Sequence, residues 1–238
     1  MADWNFILAP ATVAVEIVLD EVAILSNSVK MLKAEEFHQG LHEWIRQTAN
    51  KLTPEQGEIN HQVAMLIDHF VTETDAKTFP EFISALKDVP ATRVTDFHLH
   101  WLRDHATYPS DEVVLGDKQA YLRAVQQTIA EKYPHKSKEF DSDYWSGQWD
   151  LLQNPEQTIV DTVNHLQFLW DTYLEAEWAR VKPMLQEAVD AFNDLDYDGM
   201  SAYDAIETVT GRNMRGKDFF EEKLELTDKI IFMPNAHL

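Results

Sequence analysis

Apolar residues recur every three or four positions between Gln157 and Asn193: Val160, Val163, Leu166, Leu169/Trp170, Tyr173/Leu174, Trp178, Val181, Leu185, Val189 and Phe192. That spacing draws one stripe along an α-helix and predicts a single long helix over 155–194. Pro183 lies inside it and removes the amide partner of the Ala179 carbonyl, which predicts a kink there. The same periodicity predicts helices over 10–25, 35–50, 54–73, 79–87, 91–105, 116–133, 141–152 and 201–209. Thr53-Pro54-Glu55-Gln56, Thr78-Phe79-Pro80-Glu81 and Asn154-Pro155-Glu156-Gln157 are capping boxes with an early proline, and the third opens the long helix. Gly211 suits the left-handed position past a helix end.

Lys229-Ile230-Ile231-Phe232-Met233, closed by Pro234, breaks the helical pattern and reads as a strand. A strand needs a partner, supplied by this chain, by a second subunit, or by a segment beyond Leu238. The pattern therefore gives a mainly α fold: a multi-helix bundle with one long kinked helix and a short C-terminal strand. It reads as a single helical domain over 1–238, with the acidic turn at 194–200 as its one seam.

Charge sharpens this picture. The chain carries 41 acidic and 20 basic residues, a net charge of −21. Such a surface is repelled by a phosphate backbone, so direct nucleic-acid binding is not expected. The acidic residues are interleaved with apolar ones, which describes a solvated face rather than a tail. No apolar run is long enough to span a bilayer, and no basic stretch precedes the apolar segment near Pro10, so the expectation is a cytoplasmic protein without a membrane partner. There are no cysteines, which excludes disulfides, thiolate metal sites and a cysteine nucleophile.

Several spacings carry potential chemistry. Asp194, Asp196, Asp198 and Gly199 open like a calcium loop, but Ser201 and Ala205 stand where an apolar anchor and a closing glutamate are needed. An acidic turn followed by a Ser201 helix cap accounts for the same residues. Glu35/His38 and Glu58/His61 have the Glu-x-x-His spacing of di-iron bundles, but on consecutive helices. His38 and His42 are four apart, and His98 and His105 share a helix face with His100 between them. Glu35, His38, His42, His98 and His105 thus form the metal-site alternative, a metal-dependent helical-bundle enzyme. Asp161 and His165 are a helical pair four apart, suited to proton transfer or to a surface ion pair. The tryptophans weigh more. Trp145 and Trp149, with Trp170, Tyr173 and Trp178, are bulky enough to wall a pocket for an apolar or planar ligand by stacking, although packing between helices uses the same residues.

Four stretches together resemble one family, the large helical effector-type domains of a group of ArsR-like bacterial transcriptional regulators. They are Ile7-Leu8-Ala9-Pro10-Ala11, Thr78 to Leu86, Leu169-Trp170 through Glu177-Trp178, and Thr210-Gly211-Arg212 with Ile230 to Asn235. Ala9 and Asn235 stand where the family has serine. The resemblance implies that 1–238 is a single sensor or oligomerisation domain, regulatory and non-enzymatic, that binds a small-molecule effector, dimerises with a second copy and needs no cofactor. DNA would be reached only through a winged-helix domain, which this sequence lacks. A third reading is an acidic module that docks a basic protein partner.

Overall fold

A computed structural model describes residues 12–32, 40–103, 108–132, 140–216, 224 and 227–237. The fold is mainly α, with eleven α-helices and a two-stranded sheet among the described residues. The chain divides into two compact units, one of residues 1–20 and 178–236, the other of residues 21–177 and 237–238. The division falls between Glu177 and Trp178, inside the long helical stretch, rather than at the acidic turn near Asp194.

In the larger unit, α1 (Glu21–Met31) is followed by α2 (Glu43–Ala49), α3 (Pro54–Glu73), α4 (Phe79–Leu86), α5 (Ala91–Arg103), α6 (Asp111–Gly116), α7 (Lys118–Lys132), α8 (Ser142–Gln153) and α9 (Pro155–Leu169). Two of the three predicted capping boxes form, Thr53 with Gln56 at α3 and Thr78 with Glu81 at α4, whereas Asn154 starts α9 with no side-chain cap bond and the helix relies on Pro155 at its first position. The helix expected over 116–133 is α7, which starts after Asp117, whose carboxylate accepts the Gln119 N–H. α9 packs against α3, α4, α5 and α8 and so runs through the middle of this unit. Leu25, Ile67, Phe79, Leu99 and Leu166 are among the side chains it encloses completely.

The smaller unit holds β1 (Ala14–Ile17), α10 (Glu175–Asn193, all but its first three residues), α11 (Ala202–Thr210) and β2 (Lys229–Phe232). Here the helix expected over 10–25 is corrected: its described part is a strand, then a break, then α1. β1 pairs with β2 in parallel, with Val15 opposite Ile230 and Glu16 opposite Ile231. The partner that the C-terminal strand requires is thus in the same chain. Alternating β-branched residues favour the strand once a ladder is available, and Lys229 ion-pairs with Glu16 across it. Val13, Ala202 and Ala205 are buried at the centre, with Val15, Met200 and Ile230 packed around them. Ser201 caps α11 and Gly211 ends it at φ 69°. Gly199, at φ +76°, turns the chain ahead of Ser201, so the Asp194–Gly199 segment is a capped acidic turn.

The long helix departs from α geometry upstream of Ala179. Trp170–Leu174 is a π-helical turn in which the Glu175 N–H reaches the Trp170 carbonyl. The buried residues either side of the step, Leu169 and Leu174, are five apart, and the wider turn keeps them on one face. α10 continues through Pro183, and both Pro183 and Ala179, whose carbonyl the proline leaves without an amide, are exposed residues. Among the described residues no helix is long and apolar enough to cross a membrane.

Candidate functional site

α3 runs out at Glu73, and Thr74 leaves it in extended backbone. The chain turns, restarts at the Thr78 cap, completes α4, and turns again at Val89-Pro90 into α5. These helix ends enclose a cleft of about 330 Å³. Phe70, Phe82, Ala85, Leu86, Val89 and Pro90 form its apolar lining. Glu73, Thr74, Asp75 and Arg93 complete the lining with polar groups. The volume is at the small end of ligand pockets, which commonly run from about 300 Å³ upward with an apolar floor and a few fixed polar groups.

The rim is electrostatically ordered. Arg93 ion-pairs with Glu73, and its hydrogen bond holds that carboxyl below the usual carboxylate range. His69 approaches Glu73 from its other side at 3.5 Å. Partial burial lowers the His69 imidazole, opposed by Glu73. The His69 ring stacks on Phe97 with centroids 4.1 Å apart. A second cavity of about 450 Å³ shares Glu73 and Arg93 with the first and adds Asp96, His100 and Arg103 to its lining. Arg103 is held between Asp111, at 2.5 Å, and Asp96, at 3.1 Å. Every arginine here already has a carboxylate. The apolar cleft can receive a hydrophobic body, and its free polarity is that of its rim.

A second constellation in the same unit has the outline of a catalytic triad. Ser28 Oγ lies 2.8 Å from His237 Nδ1, and His237 Nε2 lies 2.9 Å from Glu177 Oε1. Its hydrogen bonding is not that of a nucleophile. Ser28 Oγ donates to the Ile24 carbonyl at 3.0 Å, so its proton is held by the backbone rather than given to Nδ1. Ser28 and His237 are completely buried. Trp44 stacks on the imidazole with centroids 4.7 Å apart, and the His42 N–H donates to the His237 carbonyl. The arrangement seats residue 237 in the unit rather than opening a hydroxyl to substrate.

The predicted aromatics are spread through the packing. On α8, Trp145 meets Trp101 with centroids 5.5 Å apart, whereas Trp149 donates its Nε1–H to the Val114 carbonyl and lies under Lys118. Trp170 packs on Phe79 at 5.8 Å and Tyr173 on Phe168 at 5.9 Å. Trp178 belongs to the smaller unit, buried and covered by Lys182. The cavities described above are lined by other residues.

Of the metal-site residues, Glu35, His38 and His105 lie outside the described residues. His42 caps α2, its Nδ1 accepting the Trp44 N–H at 3.2 Å. His98 is buried, with Nδ1 3.0 Å from the Val94 carbonyl and Nε2 2.8 Å from Gln148 Oε1. Burial lowers its basicity, against the opposing pull of Gln148 and Val94. Among the described residues no three His, Asp or Glu side chains are grouped to hold a metal ion. His165 does not pair with Asp161: its Nε2 lies 3.0 Å from Asn60 Oδ1, while Asp161 accepts from Gln157.

The cleft residues carry no sequence motif. The one local signal is Val89-Pro90, an apolar residue and a proline placed in a helix-to-helix turn that would ordinarily be polar. Comparison of the chain with protein-family models, curated proteins and solved structures finds no match.

Proposed function

We propose that this chain is the effector-sensing domain of a bacterial transcriptional regulator similar to the ArsR-like group, and that it does not itself contact DNA. The observation that carries the reading is the ligand-sized apolar cleft where the ends of α3, α4 and α5 meet, with an ion-paired rim. Two further features support it. Two of the four stretches that resemble the family meet in this unit, Phe79 of one packing on Trp170 of the other. The Phe79 N–H is also held by the buried carboxylate of Glu21, at 2.9 Å. That contact links the start of α4, a wall of the cleft, to the start of α1. The net charge of −21 supports the absence of DNA contact.

Native mass spectrometry of protein purified without additives, paired with a mobility-shift assay on duplex DNA, tests the proposal. The expected result is a non-covalent organic adduct that leaves on denaturation, with no DNA shift by this chain. A stoichiometric metal ion with turnover of a substrate, or retention of duplex DNA at physiological salt, overturns it.

A further inference from the structure

The charges around the α3–α4–α5 cleft do not balance. Arg93 is the only cation in the described lining, and Glu73 neutralises it. Asp75 is exposed and makes no hydrogen bond or ion pair with the described residues. The Ala76 N–H bonds to Thr74 Oγ1 at 3.1 Å, which fixes the turn that carries Asp75. One uncompensated carboxylate therefore stands at the edge of an apolar cavity of about 330 Å³, on a protein of net charge −21. The protein's field attracts cations toward that opening and repels anions.

Resting on the effector-sensing reading above, we infer that the cleft takes a small amphipathic organic cation, with its hydrocarbon body on Phe70, Phe82 and Leu86 and its ammonium group at Asp75. The apolar floor rewards burial of a ring or short alkyl chain. Asp75 supplies the one unpaired counter-charge. A carboxylate ligand has no such partner: Glu73 already neutralises Arg93, and Asp75 meets it as a like charge. A neutral ligand gains the floor alone. The cavity admits a ring with a short side arm and excludes bulky polycyclic cations.

Three probes of matched shape separate these cases: phenethylamine, phenethyl alcohol and hydrocinnamate, titrated into nitrogen-labelled full chain at low salt and followed by amide shifts in residues 70–93. The expected order is amine, then alcohol, then carboxylate, with the amine at least about tenfold tighter than the carboxylate. Asp75→Asn should bring the amine down to the alcohol. Glu73→Gln combined with Asp75→Asn leaves Arg93 unpaired, and should invert the preference toward hydrocinnamate. Ala85→Trp, at an exposed wall position, should block all three while leaving the helical spectrum unchanged.

Equal or tighter binding of hydrocinnamate to the unsubstituted protein overturns the cation assignment. So does an amine preference that survives Asp75→Asn. If the probes still bind and Ala85→Trp still blocks them, the effector-sensing reading stands and only the ligand class fails. If no probe perturbs residues 70–93, the cleft assignment fails, and an adduct seen by native mass spectrometry must sit elsewhere.

Discussion

The imidazole of His237 and the carboxylate of Glu177 meet at 2.9 Å with both side chains withdrawn from solvent. Removing one member of such a buried pair strands the other, a loss of about 3–5 kcal/mol, whereas replacing both with apolar groups costs far less. His237→Ala and Glu177→Ala should each lower the urea midpoint of unfolding sharply. Glu177→Leu together with His237→Phe should lose less than the sum of the two alanine variants. Strict additivity would show that the two groups do not act as a pair.

Acid should destabilise the larger unit before its carboxylates titrate. Burial lowers the His165 imidazole to about 4, against roughly 6.5 for an unfolded chain. The unfolded chain therefore takes up this proton near pH 6.5 and the folded one only near 4. Stability is full above the upper value and falls as pH drops through the window, by at most roughly 3 kcal/mol from this group. His98 is lowered in the same direction by its burial. Urea midpoints at about pH 7 and about pH 5 should decrease in that order. His165→Gln, which keeps a donor for Asn60, should flatten the profile. A wild-type protein more stable at the lower pH would reverse the sign.

Asn60 joins three helices through one side chain. Its Nδ2 donates to the Val29 and Leu32 carbonyls at the end of α1, both at 2.9 Å, and its Oδ1 receives His165 from α9. Asn60→Ala leaves these buried groups without partners and should cost at least about 2 kcal/mol. Amide exchange at the end of α1 should accelerate more than at α7. Uniform acceleration would assign the loss to general unfolding.

Two buried hydroxyls point the other way. Ser26 Oγ and Tyr121 Oη have no hydrogen-bond partner among the described residues, and burial pushes the Tyr121 phenol up. An unsatisfied buried hydroxyl is a liability of about 1 kcal/mol or more. Tyr121→Phe and Ser26→Ala should leave stability unchanged or raise it. A clear loss in melting temperature for Tyr121→Phe would mean that the phenol has a partner.

What could be read from the sequence was what neighbours in the chain decide. The Thr53 and Thr78 caps are spelled within four residues, and they mark where α3 and α4 begin. The β1 segment has a helical pattern in isolation because its ladder is at the opposite end of the sequence, and it becomes a strand only beside Lys229–Phe232. His237 and Ser28 meet across 209 positions, a contact with no local signature. The aromatics misled for another reason. A tryptophan stripe states that area will be buried but not whether the partner is a ligand or Phe79. The cleft is made by where helices stop, and its floor residues look like any core.

The π turn gives the chain a place where its length is negotiable. Leu169 and Leu174 face the same side across five positions. With the exposed Asp171 removed they would be four apart, and an ordinary α-turn would hold them on that same face. Removing Glu187, exposed within regular α10, offers no such slack and turns the next buried position, Val189, about 100° off its face. Loss of Asp171 should therefore leave a folded protein and loss of Glu187 should not, with circular dichroism and melting as the measure. Relatives that differ in length along this helix are expected to gain or lose their residue between Trp170 and Leu174. There the molecule can change its count without changing which side of the helix is dry.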